Sequence, residues 1–201
     1  DQTYFSYYGA ASATIPIAAT DWLPDKQFST VGEWKEAQLF GQQLFSGGGK
    51  YVTIFEGEYD AAAGYQMQGS KYPCVSVRNG ASAALKDCKA AYEWLDTFDA
   101  IVVCFDSDDV GQKAAREVAE LFGGKSAVMK HPPQYKDAND YLMDNNIKDF
   151  TAAFWAAEKF VPDGIINGAA LWEEVNKPLE KSAVMYPWGS LNKLTYGIRE
   201  A

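Results

Sequence analysis

The chain has 201 residues, of which 47% are hydrophobic and 14% aromatic, and its formal net charge is −9. This length and composition allow one compact domain with a sizeable core and some appended elements. The acidity argues against a domain that grips nucleic acid mainly by bulk positive charge. It leaves open an enzyme whose carboxylates bind metal ions, since the bound cations supply positive charge locally.

Several features of the sequence lead us to expect a protein of the reducing cytoplasm. No apolar run reaches the length of about 20 residues that a transmembrane helix needs, and the first residues have no signal-peptide pattern. The three cysteines are widely spaced and form no C-x-x-C pair, so we expect buried thiols rather than a zinc site. We interpret His131, the only histidine, as a loop residue rather than a ligand. Because the chain lacks an initiator methionine, we expect a fragment of a longer protein.

Alternating strand and helix patterns predict an α/β fold. Residues 1–38 are aromatic, then small and β-branched, then turn-like, which indicates short strands and loops. From Lys50 onward, strands are predicted at 50–55, 72–77, 100–105 and 126–129, and helices at 58–68, at 82–95 with Ser82 as cap, and at 110–122. Strands that alternate with helices in this way form a parallel sheet, whose chemistry gathers at the carboxyl ends of the strands.

The first acidic motif is EGEYD, directly after the strand at 50–55. It contains Glu56 and Asp60, and Gly57 between them would let backbone pass close to a ligand. An ordinary strand-to-helix turn with acids near the helix N-terminus explains this motif equally simply.

The second acidic motif is DSDDVG, directly after the apolar strand at 100–105. Asp106 and Asp108 repel each other there unless a cation offsets their charge. Oxygen ligands without histidine or thiolate favour Mg²⁺, with Mn²⁺ as substitute. The alternative is a polar helix cap built from the same acids.

A third motif, KDAND, follows the last predicted strand and contains Lys136 and Asp137. It is either an N-capped helix start or an extension of the metal site. The order strand-EGExD, strand-DxD, strand-KDAND resembles the TOPRIM domain of bacterial-type primases, topoisomerases and some nucleases. The segments LFGQQLFSGGGK, EGEYDAAA, RNGASAA, FDSDDVGQKAA and KDANDYL, with the tail WGSLNKLTYGIRE, resemble the bifunctional DNA primase–helicases of T7-like phages.

The resemblance implies a fold and a division of the chain. The fold is a TOPRIM (Rossmann-like) parallel sheet flanked by helices, with a small N-terminal subdomain and a C-terminal helical linker. The implied parts are residues 1–49, the N-terminal part of the primase RNA-polymerase domain; 50–162, the TOPRIM catalytic domain; and 163–201, a linker helix leading to a helicase domain. Two features depart from the family: the chain has no zinc-ribbon candidate, and residues 1–25 contain no Lys or Arg.

The resemblance also implies a chemistry, the Mg²⁺-dependent synthesis of short RNA primers on single-stranded DNA. The implied catalytic and metal residues are Glu56, Asp106 and Asp108, with Glu56 either a ligand or the general base, and Asp60 and Asp137 as accessory ligands. The implied nucleotide or template contacts are Arg78, Asn79, Gly80, Ser82 and Lys136, although plain helix capping also explains the turn at 79–82.

The implied partners are the single-stranded DNA template, ribonucleoside triphosphates, a helicase domain on the same polypeptide and a replicative DNA polymerase. The chain has no G-x-x-x-x-G-K-[ST] motif, so it is not expected to be the ATP-driven motor itself. Two alternatives stay open: a TOPRIM nuclease or topoisomerase domain, and a non-catalytic TOPRIM-like module that binds DNA beside a replicative helicase.

Overall fold

The computed structural model describes the backbone of residues 2–8, 14–20 and 27–30, and residues 36–162, 168–177, 184–196 and 198. The chain divides into two compact units, residues 1–162 and 163–201. Among the described residues, no helix is long and apolar enough to cross a membrane.

The N-terminal strands form a small antiparallel sheet. Its strands are β1 (Gln2–Tyr8), β2 (Thr14–Thr20) and β3 (Gln27–Thr30), in the order β1-β2-β3. Both pairings are antiparallel, with Phe5 opposite Ile17 and Ile17 opposite Thr30. The expectation of short strands in this region is confirmed for these three segments, and the rest of residues 1–35 lies outside the described residues.

A five-stranded sheet forms the centre of the first unit. Its strands are β4 (Gly49–Phe55), β5 (Cys74–Ser76), β6 (Phe98–Cys104), β7 (Ser126–Val128) and β8 (Glu158–Lys159), in the order β5-β4-β6-β7-β8. The pairings among β4, β5, β6 and β7 are parallel, whereas β8 runs antiparallel to β7. The predicted parallel α/β sheet is therefore confirmed, and β8 is an addition that the sequence pattern did not indicate.

Helices cover both faces of this sheet. They are α1 (Glu58–Met67), α2 (Ala84–Ala90), α3 (Tyr92–Leu95), α4 (Asp109–Phe122), α5 (Ala138–Met143) and α6 (Ile147–Trp155). Alternate residues of β6 supply the two cores: Ile101 and Val103 pack with α2 and α4, while Val102 and Cys104 pack with α1, α5 and α6. A strand buried on both faces explains why β6 is apolar throughout its second half. All three cysteines are buried free thiols, as expected.

The segment at 82–95 differs from its prediction. A 3-10 turn at Ala81–Ala83 precedes α2, and the helical path breaks at Ala91 before α3. The prediction that Ser82 caps a helix is wrong, because its side chain makes no capping hydrogen bond at either start. The turn instead begins at Gly80, whose positive φ of 65° turns the chain toward Glu56.

The second unit contains α7 (Gly168–Val175) and α8 (Gly189–Thr195). The Asn192 side chain closes a local loop, since it accepts a hydrogen bond from the Tyr186 amide and donates one to the Tyr186 carbonyl, both at 2.7 Å. Trp172 and Val175 on α7 are exposed.

The contact between α1 and β4 gives a test of core packing. A Cβ added at Gly64 would lie 2.2 Å from Cζ of the fully buried Phe55 ring. We expect Gly64→Ala to lower the free energy of unfolding by about 1–2 kcal/mol, because overpacking outweighs the gain in helix propensity. Urea denaturation followed by circular dichroism measures this. Gly124→Ala is the control, since nothing lies within 4 Å of the added atom; equal effects of the two changes would contradict the packing argument.

Candidate active site

The three acidic motifs lie at the carboxyl edge of the central sheet. Phe55 of β4 and Cys104 of β6 are directly paired in the parallel ladder, so Glu56 and Asp106 follow their strands at nearly the same level. The loops after β6 and β7 also meet, because the Ser107 amide donates a hydrogen bond to the Lys136 carbonyl at 2.8 Å. The sheet topology therefore brings together residues that are up to 81 positions apart, from Glu56 to Asp137.

Glu56 is held at one oxygen only. Its Oε1 accepts a hydrogen bond from the Ala81 amide at 3.2 Å, whereas the buried Oε2 has no hydrogen-bond partner among the described residues. Burial raises the pKa of this carboxyl, and the negative charges of Asp106 and Asp108 raise it further, against the opposing backbone amides of Ala81 and Asp106. A buried oxygen without a partner is a position where a cation or a proton is favoured.

Asp60 lies on the first turn of α1 and faces the loop that carries Asp137. Its Oδ1 accepts a hydrogen bond from the Asn139 amide at 2.9 Å. Burial and the charge of Asp137 raise the pKa of Asp60 from 3.8 to about 7, with smaller contributions from Asp106 and Glu56. Burial is thus the larger cause of the raised pKa, and the neighbouring carboxylates add to it.

Asp106 and Asp108 occupy the start of α4. Asp106 Oδ2 pairs with Lys136 Nζ at 2.7 Å, and Asp108 caps the helix by accepting from the Gly111 amide at 2.8 Å. Gly111 is required here, because a Cβ would lie 2.6 Å from the Asp106 carbonyl oxygen. The turn DSDDVG thus combines a helix cap with an acidic site, and the two interpretations of this motif are not exclusive.

Asp137 likewise serves both as a helix cap and as a member of the acidic site. It caps α5 by accepting a hydrogen bond from the Asp140 amide at 3.0 Å, and its charge raises the pKa of Asp60. Lys136, immediately before it, has a largely exposed side chain whose ammonium group pairs with Asp106. The ion pair raises the pKa of Lys136.

The donor chemistry of these acids fits a hard divalent cation. All the candidate ligands are carboxylates, and Glu56 Oε2 is buried and lacks a hydrogen bond within the described part of the chain. In the described ranges, however, no group of three or more His, Cys, Asp or Glu side chains is arranged to hold a metal ion. The side-chain rotamers instead direct Asp106 to Lys136, and Asp108 and Asp137 to helix caps.

The turn at 78–82 lies beside Glu56. The Ala81 amide lies 3.2 Å from Glu56 Oε1, and a Cβ added at Gly80 would be 3.6 Å from the same oxygen. Asn79 and Ser82 are exposed on the same turn. The structure therefore brings these three predicted phosphate contacts next to the acidic motifs, and their role in binding stays a prediction.

Arg78 occupies a different environment from the rest of the predicted site. Its side chain is only 8% exposed and pairs with the buried Asp87, with NH2 to Oδ1 at 2.5 Å and Nε to Oδ1 at 3.1 Å. NH1 also donates to the Ala37 carbonyl. These contacts give Arg78 a structural role, and its predicted phosphate contact stays a prediction. Sequence reasoning missed Asp87, because nothing in the helix pattern marks it as buried.

His131 connects β6 to α5. Its Nε2 lies 3.1 Å from the Phe105 carbonyl, which can only accept, and its Nδ1 lies 3.2 Å from the Tyr141 hydroxyl. Nε2 therefore carries the proton, and burial lowers the pKa of the ring. The sequence predicted a loop position correctly but gave no signal for these two contacts.

Comparison with known proteins agrees with this architecture. A family model described as Toprim-like matches residues 53–142, the span that contains all three acidic motifs. The chain is 41% identical over 156 residues to the DNA helicase/primase of Enterobacteria phage T3, a match that covers 77% of this chain and 27% of that protein. The chain thus spans about a quarter of the length of this curated relative.

Two solved structures are similar in both fold and sequence. One is the primase fragment of the bacteriophage T7 primase-helicase protein, with a TM-score of 0.67 and 34% identity over 77% of this chain and 63% of that chain. The other is the bacteriophage T7 lagging-strand DNA polymerase interacting with primase domains of two gp4 subunits, bound to an RNA/DNA hybrid and dTTP. It matches with a TM-score of 0.70 and 34% identity over 79% of each chain.

The parallel sheet with acids at the carboxyl ends of β4 and β6 defines the class of the protein, a TOPRIM domain of the primase type. The similarity in sequence and structure is also specific enough to assign a family. The chain belongs to the T7-like phage DNA primase–helicase family, of which it contains the primase portion.

Asp60 gives a test of the electrostatics of the site. Because its pKa is about 7 in the folded protein against an ordinary 3.8, the folded state binds this proton more tightly than the unfolded state. Stability is therefore lost as the pH rises through this interval. With EDTA present, we expect Asp60→Asn to melt about 4 °C above the unchanged protein at about pH 8, and at the same temperature at about pH 4.

Thermal melts across this pH range measure the effect. Asp99→Asn is the matched control, since Asp99 is an exposed acid at the opposite end of β6. We expect the Asp99→Asn curve to run parallel to that of the unchanged protein. A constant offset for Asp60→Asn at every pH would contradict the assigned cause.

Proposed function

We propose that the chain is the catalytic domain of a DNA primase, which synthesises short RNA primers on a single-stranded DNA template during phage replication. The observation that carries the proposal is the meeting of three acidic motifs at one sheet edge, where Glu56 keeps a buried oxygen without a hydrogen bond. Membership of the primase–helicase family supports the same reaction. The reaction joins a 3′-hydroxyl to the α-phosphate of a ribonucleoside triphosphate and releases pyrophosphate.

The carboxylates of this edge are proposed to bind Mg²⁺, for which Mn²⁺ can substitute. Glu56, Asp106 and Asp108 are the main ligands, and Asp60 and Asp137 support them. When bound, the cation would lower the pKa of the attacking hydroxyl and screen the charges of the phosphates. Glu56 Oε2 is the one of these oxygens that is buried without a hydrogen bond in the described residues, so it is available without breaking a contact.

The remaining residues of the site are proposed to contact the phosphate groups of a nucleotide. Lys136 holds Asp106 by an ion pair and is exposed enough to exchange that partner for a phosphate group. Asn79, Gly80 and Ser82 form the turn that borders Glu56, and their amide and hydroxyl groups are proposed phosphate contacts. Together these groups would orient a nucleotide beside the acidic edge.

The proposed context is a longer protein that acts in the cytoplasm of a bacterial host. Residues 1–49 and 50–162 form the primase catalytic part, and residues 163–201 link it to a 5′–3′ DNA helicase domain on the same polypeptide. A replicative DNA polymerase is the proposed partner that extends the primer. The relative from phage T3 carries the name DNA helicase/primase, which supports this arrangement.

The reaction can be tested at Asp106. We expect Asp106→Asn to reduce Mg²⁺-dependent nucleotide joining on single-stranded templates by at least about a hundredfold, because a charged ligand is lost. The melting temperature without metal should stay within about 2 °C, since the lost ion pair joins Asp106 to a lysine whose side chain is 61% exposed. Asp109→Asn, on the same turn but outside the proposed ligand set, is the control and should keep its activity. Full activity in Asp106→Asn would exclude the proposed site.

Net charge gives a second test. Because the chain carries −9 overall, we expect the fragment alone to bind single-stranded DNA weakly, with an affinity that falls as salt increases. A fluorescence anisotropy titration at several salt concentrations measures this. Tight binding that is insensitive to salt would contradict a site that depends on cations and a few lysines.

A further inference from the structure

The buried pair of Arg78 and Asp87 fixes the turn that contacts Glu56. Asp87 is 2% exposed, and its Oδ2 accepts a hydrogen bond from the Arg78 amide at 2.8 Å while its Oδ1 accepts from the guanidinium. Arg78 NH1 reaches the Ala37 carbonyl at 2.6 Å. One carboxylate on α2 therefore fixes both the backbone and the side chain at the start of the turn.

We call the Arg78–Asp87 ion pair the anchor. Few residues separate the anchor from the active site. The Val77 amide continues the sheet pairing by donating to the Phe55 carbonyl at 3.1 Å. After Arg78, the chain reverses at Gly80, where φ is 65°, and the Ala83 amide closes the 3-10 turn on the Gly80 carbonyl. Only two residues separate Arg78 from Ala81, so the position of the anchored backbone determines where the Ala81 amide points.

The Ala81 amide in turn sets the orientation of Glu56. It donates to Oε1, which leaves the buried Oε2 as the oxygen without a hydrogen bond in the described chain. We infer that the Arg78–Asp87 pair is a positioning device for Glu56: it holds the turn so that Ala81 occupies Oε1 and Oε2 remains available to the catalytic site. This inference rests on the proposed function and deepens it, since it names residues that act through Glu56 rather than on the substrate.

The desolvation free energy that two buried charges cost supports a positioning role for the Arg78–Asp87 pair. Two buried charges contribute little net stability, because desolvation offsets much of their attraction, and such pairs are best explained where they specify one conformation. The guanidinium is turned to Asp87 and Ala37 and its side chain is 8% exposed, so a direct phosphate contact would require breaking these bonds. If Arg78 positions Glu56, a substitution at Asp87 should disturb catalysis. If Arg78 binds phosphate directly, a substitution at Asp87 should not, because Asp87 is too buried to touch a nucleotide.

The experiment compares Arg78→Met/Asp87→Leu, which removes both charges together, with Asp87→Asn and with the control Leu95→Ala. Leu95 is fully buried on α3, and because its side chain forms no hydrogen bond, its change lowers stability without removing a hydrogen bond of the Arg78–Asp87 pair. Two quantities are measured at a temperature where each variant is folded: hydrogen exchange of the Ala81 amide by NMR, and kcat and KM of nucleotide joining.

We expect exchange at Ala81 to accelerate about tenfold or more in the two anchor variants, relative to the mean change of other amides, and to follow that mean in Leu95→Ala. We also expect kcat to fall about tenfold or more, with KM for the nucleotide changed less than about twofold. If the double variant does not fold, Asp87→Asn alone decides the result, because it keeps the size and one oxygen of the side chain.

Unchanged relative exchange at Ala81 in a folded anchor variant would overturn the inference. A further variant, Arg78→Met alone, is measured for the same reason: a rise in its KM, with normal kinetics for Asp87→Asn, would also overturn the inference and assign Arg78 to phosphate binding. Failure of the proposed function gives a different pattern, because the unchanged protein would then join no nucleotides while the exchange results could still agree with the anchor.

Discussion

Repulsion among carboxylates at one edge of the sheet is the constraint on which the other features of the site depend. The direct pairing of β4 with β6 places Glu56 and Asp106 at nearly the same level, and the partial burial of both strengthens the interaction of their charges. Local donors partly offset the charge of each acid: backbone amides for Glu56, Asp60, Asp108 and Asp137, and Lys136 for Asp106. Burial and, after it, the neighbouring carboxylates raise the pKa of Glu56 and Asp60 despite these donors, and a bound cation would oppose both effects.

The scaffold tolerates this repulsion because the acids sit at helix starts above two apolar cores. Asp108 and Asp137 each stabilise a helix N-terminus, so side chains that repel neighbouring acids of the site also serve as caps. Beneath them, alternate residues of β6 pack into opposite cores and thereby fix the position of Asp106 beyond the end of the strand. His131 adds a further connection below the site by joining the Phe105 carbonyl to Tyr141. Helix capping and core packing together keep these carboxylates close to one another, although their mutual repulsion alone would separate them.

Sequence reasoning succeeded where periodicity is strong and failed where contacts are long-range. The β-branched run before Glu56 and the apolar run before Asp106 predicted β4 and β6, and with them the meeting of the two acids. The 3-10 turn at Ala81–Ala83 was missed, because it depends on the positive φ of Gly80 and on the contact of the Ala81 amide with Glu56, and the break at Ala91 was missed as well. Nor does any local pattern show that Arg78 pairs with Asp87 nine residues later, since an arginine beside Asn-Gly equally suits a phosphate contact. Strand β8 is two residues long and has too little pattern to be recognised.

The acidity of the edge also bears on how a primase of this composition would work. With a net charge of −9 and Arg78 turned inward, the described surface near the acids offers Lys136 as a cation, and that lysine is already paired with Asp106. A polyanionic nucleotide therefore meets repulsion unless divalent cations are present. A cation that binds the carboxylates would remove this repulsion and release Lys136 from Asp106, so that each ligand favours the other. Linkage then requires the effect to be reciprocal: the nucleotide must raise the affinity for the cation by the same factor. In this way a site that disfavours anions in the absence of a cation would become selective for nucleotides that arrive with their metal.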